Sequence, residues 1–315
     1  MDPWSMCIRA HPVVAAAANI PKKILRPLPV DPVFLSGTVK TIIEEDKVRQ
    51  QVRERYGAIA RLEERGCGCG PSCGDPSETK NRPTGAEALG YSESDLTSVP
   101  EGSEMGLGCG NPTAIASIQP GETVLDLGSG GGFDCFLAAR QTGPKGRVIG
   151  VDMTPDMISK ARANATKGDY ENVEFRLGEI ENLPVADGAV DLVISNCVIN
   201  LSPNKDLVYA EIFRVLKPGG RIAISDIVAL RPIPEDLKED FQAYTGCIAG
   251  AASVAELENM LRNEGFRDIR VEIKQSSRDF INEWLPDKRA GDYVASANIT
   301  AVKPASPCCG ASCCT

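Results

Sequence analysis

The chain has a single histidine, His11, set in a stretch rich in proline and alanine. Its scarcity excludes a Ser-His-Asp triad, a histidine zinc site and a histidine general base from the body of the 315 residues. Long apolar runs are also missing. The longest early one, Val13 to Ala18, is too short for a signal-peptide core or a membrane span. No Lys/Arg cluster exceeds two residues, and 34 basic against 43 acidic side chains leave a net charge of −9. A nucleic-acid binder needs a basic stripe, so neither nucleic acid nor membrane is expected as a partner.

Cysteine, by contrast, is plentiful. Of twelve, three lie in 67–73 and four in the last eight residues. With no signal-peptide pattern before them, an oxidised secreted scaffold is disfavoured, and thiols that bind or react in the cytoplasm are the better reading. A composition of 42% hydrophobic and 24% charged residues supports a sizeable core in one large or two small domains.

Residues 1–36 lack periodicity and read as a disordered or loosely packed extension, with a transit peptide as the alternative. In 37–64, Val39, Ile42, Ile43, Val48, Val52 and Tyr56 fall near helical spacing. The glycines and proline around Cys67, Cys69 and Cys73 then impose a loop, and irregular chain continues to residue 110. From 120 the pattern alternates regularly. Strands are predicted at Thr123–Leu127, Arg147–Val151, Val173–Leu177, Ala189–Ser195 and Arg221–Asp226. Helices are predicted at Phe133–Arg140, from Pro155 to about Ala165, and at Lys205–Leu216, the last stopped by Pro218-Gly219-Gly220. This alternation implies a parallel sheet covered on both faces. Beyond 235 follow a helical and loop-like stretch to 250, an amphipathic helix Val254–Glu264 ended by Gly265, and two strands, Ile269–Ile273 and Tyr293–Val302. The chain thus divides into the extension 1–36, a helix and Cys-rich loop 37–110, an α/β core 111–230, a region 231–304 completing the sheet, and a Cys-rich tail 305–315.

The strongest motif is Asp126-Leu127-Gly128-Ser129-Gly130-Gly131-Gly132, where the first strand turns into the following helix. Open α/β sheets bind ligands at that carboxyl edge, and glycines let the backbone approach a ligand closely. A dinucleotide fingerprint fails because Phe133 stands at its third glycine, and no Gly-Lys-Ser/Thr follows for a phosphate loop. Acidic-x-Gly-x-Gly-x-Gly resembles the first motif of S-adenosylmethionine (SAM) methyltransferases. The resemblance implies a Rossmann-like class I fold, a mostly parallel seven-stranded sheet whose last strand is antiparallel. It implies that Asp126, Gly128, Ser129, Gly130 and Gly132 hold the amino-acid end of SAM. Asp152 and Met153, ending the second strand, would face the ribose, and Glu179 and Ile180 the adenine; Asn196 follows the fourth strand. A helix-capping role before Thr154 is the alternative for Asp152.

Cys197 directly follows that fourth strand, beside the same crevice. Its alternative is a small buried hydrophobe. Cys109 lies in a glycine-rich segment before the first strand, and Cys247 follows the fifth. Strands one, four and five can deliver all three thiols to one crevice, and three thiolates make a soft trigonal site. Cys135, amid Phe133, Phe136 and Leu137, reads as core, and Cys7 as inert.

At these residues the chain resembles the arsenite SAM methyltransferases over about 84–304, most specifically around Cys109, Cys197 and Cys247. The resemblance implies that these cysteines bind trivalent arsenic, that region 231–304 contributes to arsenic binding, and that SAM methylates the metalloid stepwise. Cys197 and Cys247 would matter most once one methyl is on arsenic. An upstream cysteine is implied to form a disulfide with the loop cysteine between rounds. Cys67, Cys69 and Cys73 are the choices, Cys69 or Cys73 favoured, with glutathione and thioredoxin as reductants. The tail thiols Cys308, Cys309, Cys313 and Cys314 could capture arsenic, bind zinc or do nothing. A monomer is expected. Rivals are a SAM methyltransferase of an organic molecule such as a quinone or sterol, and a thiol-rich protein that sequesters arsenic or metal without turnover.

Overall fold

The computed structural model describes residues 32–64, 85–285 and 287–305. The extension to residue 31 with Cys7, the loop holding Cys67, Cys69 and Cys73, and the tail cysteines Cys308, Cys309, Cys313 and Cys314 lie outside the described residues. The chain divides into two compact units, 1–43 and 44–315, and the described part of the first, 32–43, is helical.

Helix α1 (Pro32–Glu64) begins earlier than the predicted residue 37. Three short helical pieces follow, α2 (Gly85–Ala88), α3 (Glu93–Thr97) and α4 (Pro112–Ile115). The alternating core comprises β1 (Thr123–Leu127), α5 (Phe133–Thr142), β2 (Arg147–Asp152), α6 (Pro155–Lys167), β3 (Val173–Leu177), β4 (Val190–Asn196), α7 (Lys205–Val215) and β5 (Leu216–Ala229). Beyond it come α8 (Glu235–Lys238), α9 (Phe241–Thr245), α10 (Val254–Glu264), β6 (Arg267–Lys274), α11 (Ser277–Trp284) and β7 (Val294–Val302).

The strands form one seven-stranded sheet in the order β3-β2-β1-β4-β5-β7-β6. β1 to β5 run parallel, and β7 is antiparallel to both its neighbours. The near-continuous apolar strands follow from burial on both faces, with alternate side chains entering opposite layers. Val124, Val148, Leu192 and Ile194 pack with Phe136 and Ala139 of α5 and Ile158 of α6. Leu125, Leu127, Ile149 and Val193 pack with Tyr209 and Ile212 of α7 and Leu261 of α10. Cys135 belongs to the first layer and is fully buried.

Local chemistry explains where some elements end. α10 opens on a capping box between Ser253 and Glu256 and closes on Gly265 in the left-handed conformation. Two expectations need correction. Pro218-Gly219-Gly220 does not separate α7 from the fifth strand; β5 already begins at Leu216 and runs to Ala229, past the predicted Asp226. Leu216 pairs with Val190, the register then slips, and Arg221 pairs with Leu192, so the turn-like triplet sits in an irregularity within the strand. α11, between the last two strands, has no counterpart in the sequence reading. Among the described residues, no helix is long and apolar enough to cross a membrane.

Candidate active site

The strand order reverses at β1 and β4, whose carboxyl ends border a cavity of about 540 Å³. One half of it is the loop between β1 and α5. The amides of Gly128 and Ser129 donate to the carbonyl of Val151 at 2.7 and 3.1 Å, which hangs the loop on β2. Gly128 has φ +68°, and a Cβ there would lie 2.3 Å from Val198 Cγ2, so only glycine lets the chain turn this tightly. Asp152 Oδ2 accepts the Gly130 N–H at 3.0 Å, and its Oδ1 accepts the Thr154 N–H at 2.8 Å. The carboxylate therefore does both things considered for it: it lines the cavity and braces the start of α6.

Three carboxylates crowd this half. Burial lifts Asp126 well above the usual carboxylate range, helped by the nearby charge of Asp134. Burial also raises Asp134 to about 6, against hydrogen bonds from Tyr91 and Asn196 that pull it down, and raises Asp152. Among the described residues, none of the three is ion-paired with a lysine or arginine. Ser129 Oγ is buried without a hydrogen-bond partner. Buried carboxyl groups without a cation partner, their ionised forms disfavoured by burial, and an orphaned hydroxyl are the features of a site built for a cationic, hydrogen-bonding ligand. SAM, with its sulfonium and ammonium groups, fits this donor and charge set.

The other half carries the thiols. Cys109, Cys197 and Cys247 are all buried and free. Cys109, Cys197 and Cys247 pack in one buried cluster. The Cys247 thiol donates to the carbonyl of Cys197 at 2.7 Å, and the Cys109 thiol to that of Ser225 at 3.6 Å. The sulfurs of Cys109 and Cys197 and a carboxylate oxygen of Asp226 lie within 4.8 Å of one another. Cys197 and Cys247 line the cavity, whereas Cys109 sits behind Gly106, Leu107 and Gly108, which do. Cys197 and Cys247 both hold left-handed backbone, φ +60° and +63°, a strained conformation of the kind that gathers at functional sites. Burial pushes the Cys109 thiol up to about 11 and Cys197 well above its ordinary value. A hydrogen bond with Cys197 pulls Cys247 down, but burial leaves it raised.

Of the predicted cofactor residues, Asp126, Gly128, Ser129, Gly130, Asp152, Met153, Ile180 and Asn196 line the cavity. Gly132 packs instead against the rings of Phe175 and Phe136. Glu179 pairs with Arg49 and Arg53 of α1, at 3.7 and 3.3 Å, tying that helix to the loop after β3. Several participants escaped the sequence reading. Tyr56 of α1 reaches over the thiols and donates to the carbonyl of Thr245 at 3.1 Å. Asp226 ends up beside Cys109 and Cys197, accepting hydrogen bonds from the backbone of Ile199 and Ile227 and from Asn200. Tyr91 donates to Asp134 at 2.7 Å. Asp134, two residues beyond the last motif glycine, was the one with a usable signal.

Residues 118–265 match a family model described as a methyltransferase domain. An arsenite methyltransferase of Halobacterium salinarum is 52% identical over 270 residues, 83% of this chain and 68% of that protein. One from Aquipseudomonas alcaligenes is 42% identical, covering 67% of this chain and 62% of its relative. The crystal structure of an arsenic(III) S-adenosylmethionine methyltransferase from Chlamydomonas reinhardtii superposes with a TM-score of 0.52 at 34% identity, covering 71% of this chain and 74% of that one.

Proposed function

Since the chain belongs to the arsenite methyltransferase family, we propose that it transfers methyl groups from SAM to trivalent arsenic held by Cys109, Cys197 and Cys247. The observation that carries this is one cavity whose one end is anionic and glycine-lined and whose other end is a buried thiol cluster. SAM supplies an electrophilic methyl on a sulfonium sulfur.

Neutral arsenite carries three hydroxyls. Three thiols displace them, and the thiol protons leave with the hydroxyls as three waters. The raised thiol values are therefore no obstacle, and the exchange needs no general base, in keeping with a chain that has one histidine. Thiolate ligands leave the arsenic lone pair available. That pair forms the As–C bond as the C–S bond breaks, its electrons staying on sulfur, and catalysis is chiefly alignment. Arsenic is then formally pentavalent. An upstream thiolate attacks the Cys109 sulfur, the S–As bond breaks with its electron pair left on arsenic, and the metalloid returns to the trivalent state on Cys197 and Cys247. Glutathione or thioredoxin reopens the resulting disulfide by exchange. Cys109 with one of Cys67, Cys69 and Cys73 is the proposed pair. The finer readings belong here too. The four free cysteines among the described residues support a reducing, cytoplasmic setting. Among the described residues, the exposed large apolar side chains are scattered, Leu107 in a loop, Leu177 on β3, Leu207 on α7 and Ile273 on β6, which supports a monomer.

The proton balance makes a prediction. Arsenite affinity, titrated without SAM, should stay flat between about pH 6 and about pH 8, whereas Zn²⁺ affinity for the same thiols should climb with pH because each bound thiol must release its proton. An arsenite affinity that climbs like that of Zn²⁺ would count against neutral exchange. The activity itself is tested by arsenic speciation after incubating the protein with SAM, arsenite, glutathione and thioredoxin. Methylated arsenicals are expected. SAM binding without methylated product would favour an organic substrate, and arsenite binding without SAM binding would favour sequestration.

A further inference from the structure

None of the three thiols lies inside a regular element, but Cys197 directly follows β4 and Cys247 comes just past the end of α9, whereas Cys109 lies three residues before a four-residue helix. It sits in the loop between α3 and α4, where Gly106 and Gly108 adopt φ +65° and +141°. What fixes it is mostly one side chain. Asn196 Oδ1 accepts the Cys109 N–H at 3.1 Å, and Asn196 Nδ2 donates to the carbonyl of Gly110 at 2.9 Å. The amide thus grips both ends of one short stretch of backbone. Its orientation is set from behind: Nδ2 also faces Tyr91 Oη at 3.1 Å and Asp134 Oδ2 at 3.3 Å, so nitrogen and oxygen cannot exchange places without losing acceptors. The fit is close, since a Cβ on Gly108 would lie 2.9 Å from Nδ2. Asn196 itself ends β4, where it pairs with Ser225 of β5, and the next residue is Cys197. The backbone that carries the Cys109 sulfur is therefore tied to the chain just before Cys197 through one amide anchored in the sheet, while the Cys109 thiol itself donates to the Ser225 carbonyl. Ser296 adds a hydrogen bond to the Cys109 carbonyl at 2.6 Å, which leaves the peptide on the other side to Asn196.

We propose that Asn196 is the positioning residue that makes Cys109 the third sulfur ligand of arsenite, and so sets the ability to begin from inorganic arsenite. The inference rests on the arsenic-binding reading above. Arsenite has three exchangeable hydroxyls and needs all three thiols. Methylarsenite has two and is served by Cys197 and Cys247. Releasing the Cys109 loop should therefore penalise the first substrate and spare the second.

X-ray absorption at the arsenic edge counts the sulfur neighbours directly. Wild-type protein loaded with arsenite is expected to show three, and Asn196→Ala two. Arsenite affinity should fall by about tenfold or more, the range typical of residues that orient a ligand, while methylarsenite affinity stays within about twofold. SAM binding, measured by calorimetry, should stay within about threefold. In a Cys109→Ser background, Asn196→Ala should cost arsenite affinity nothing further, because the two changes act on one contact. Asn196→Asp matches the original shape. It keeps the acceptor for Cys109 but sets a carboxylate oxygen against the Gly110 carbonyl and Asp134, so it should shift the same quantities in the same direction at least as far. Three sulfurs in the alanine variant, or losses that add in the double variant, would overturn the proposal. So would lost SAM binding with three-sulfur arsenic, which would make Asn196 a cofactor residue. Wild-type arsenic without sulfur neighbours would bring down the underlying reading as well.

Discussion

Cys197→Ser protein is expected to bind SAM normally and to methylate neither arsenite nor methylarsenite. Cys197 lines the cavity, its sulfur lies within 4.8 Å of that of Cys109, and its carbonyl accepts the Cys247 thiol proton. Serine keeps the shape and accepts the same backbone turn, but it offers a hard oxygen where a soft metalloid requires sulfur. Both substrates lose a ligand, and the remaining pair, Cys109 and Cys247, no longer has a sulfur between them. Turnover of each substrate should fall by at least about a hundredfold. The cofactor end, built from β1, β2 and the glycine loop, is untouched, so the SAM dissociation constant should change by less than about twofold. Arsenic speciation and calorimetry on the same preparation read both quantities. Methylation at wild-type rates would remove Cys197 from the set of arsenic ligands.

Asp152→Ala should give the converse result. Its carboxylate accepts hydrogen bonds from the Gly130 and Thr154 amides while facing the cavity. Truncation leaves two backbone donors unsatisfied, loosens the glycine loop and removes a charge that a cationic ligand would meet. A ligand's hydrogen bond to a charged group is worth roughly 1.5–3 kcal/mol, so loss of the carboxylate that SAM would meet should lower SAM affinity by about tenfold to a hundredfold. Asp152→Asn keeps an acceptor and should lose less. Arsenite binding to the thiols, measured without SAM, should survive both changes. An unaltered SAM affinity in the alanine variant would confine Asp152 to bracing α6. Together the two variants separate the halves of the cavity, since each abolishes turnover while sparing the other ligand.

Much of this division was legible in the sequence because it depends on local chemistry. The run Thr123–Leu127 was bounded correctly: four apolar or β-forming residues and Asp126, set between a Pro-Gly turn and a glycine loop, admit little else. The same holds for Asp152 at a strand end and for α10 between Ser253 and Gly265. What failed depends on partners distant in sequence. Pro218-Gly219-Gly220 reads as a stop, yet the amide of Gly219 donates to the Lys303 carbonyl and the Lys303 amide to that of Gly220, so the residue just past β7 holds the triplet against the end of the sheet. Glu179 reads as a cofactor contact until α1, more than a hundred residues earlier, brings Arg53 beside it. Asn196 shows the same limit. Its place after β4 was evident, but its hold on Cys109 and Gly110 depends on a loop 86 residues or more away in sequence, whose path no periodicity encodes.

The left-handed backbone at Cys197 and Cys247 has a consequence for how such a chain can change over generations. Glycine is the residue those two positions favour on conformational grounds, and relief of the strain is worth roughly 1–2 kcal/mol at each. Losing a small buried thiol costs a comparable amount, at about 25 cal/mol per Å² of apolar surface. The fold is therefore close to indifferent to whether its two cavity-lining thiols are present, and stability offers them no protection against drift. Only selection for the chemistry holds them in place. A lineage released from arsenic could shed both and keep a sound sheet with an intact cofactor end, ready for a carbon, nitrogen or oxygen nucleophile.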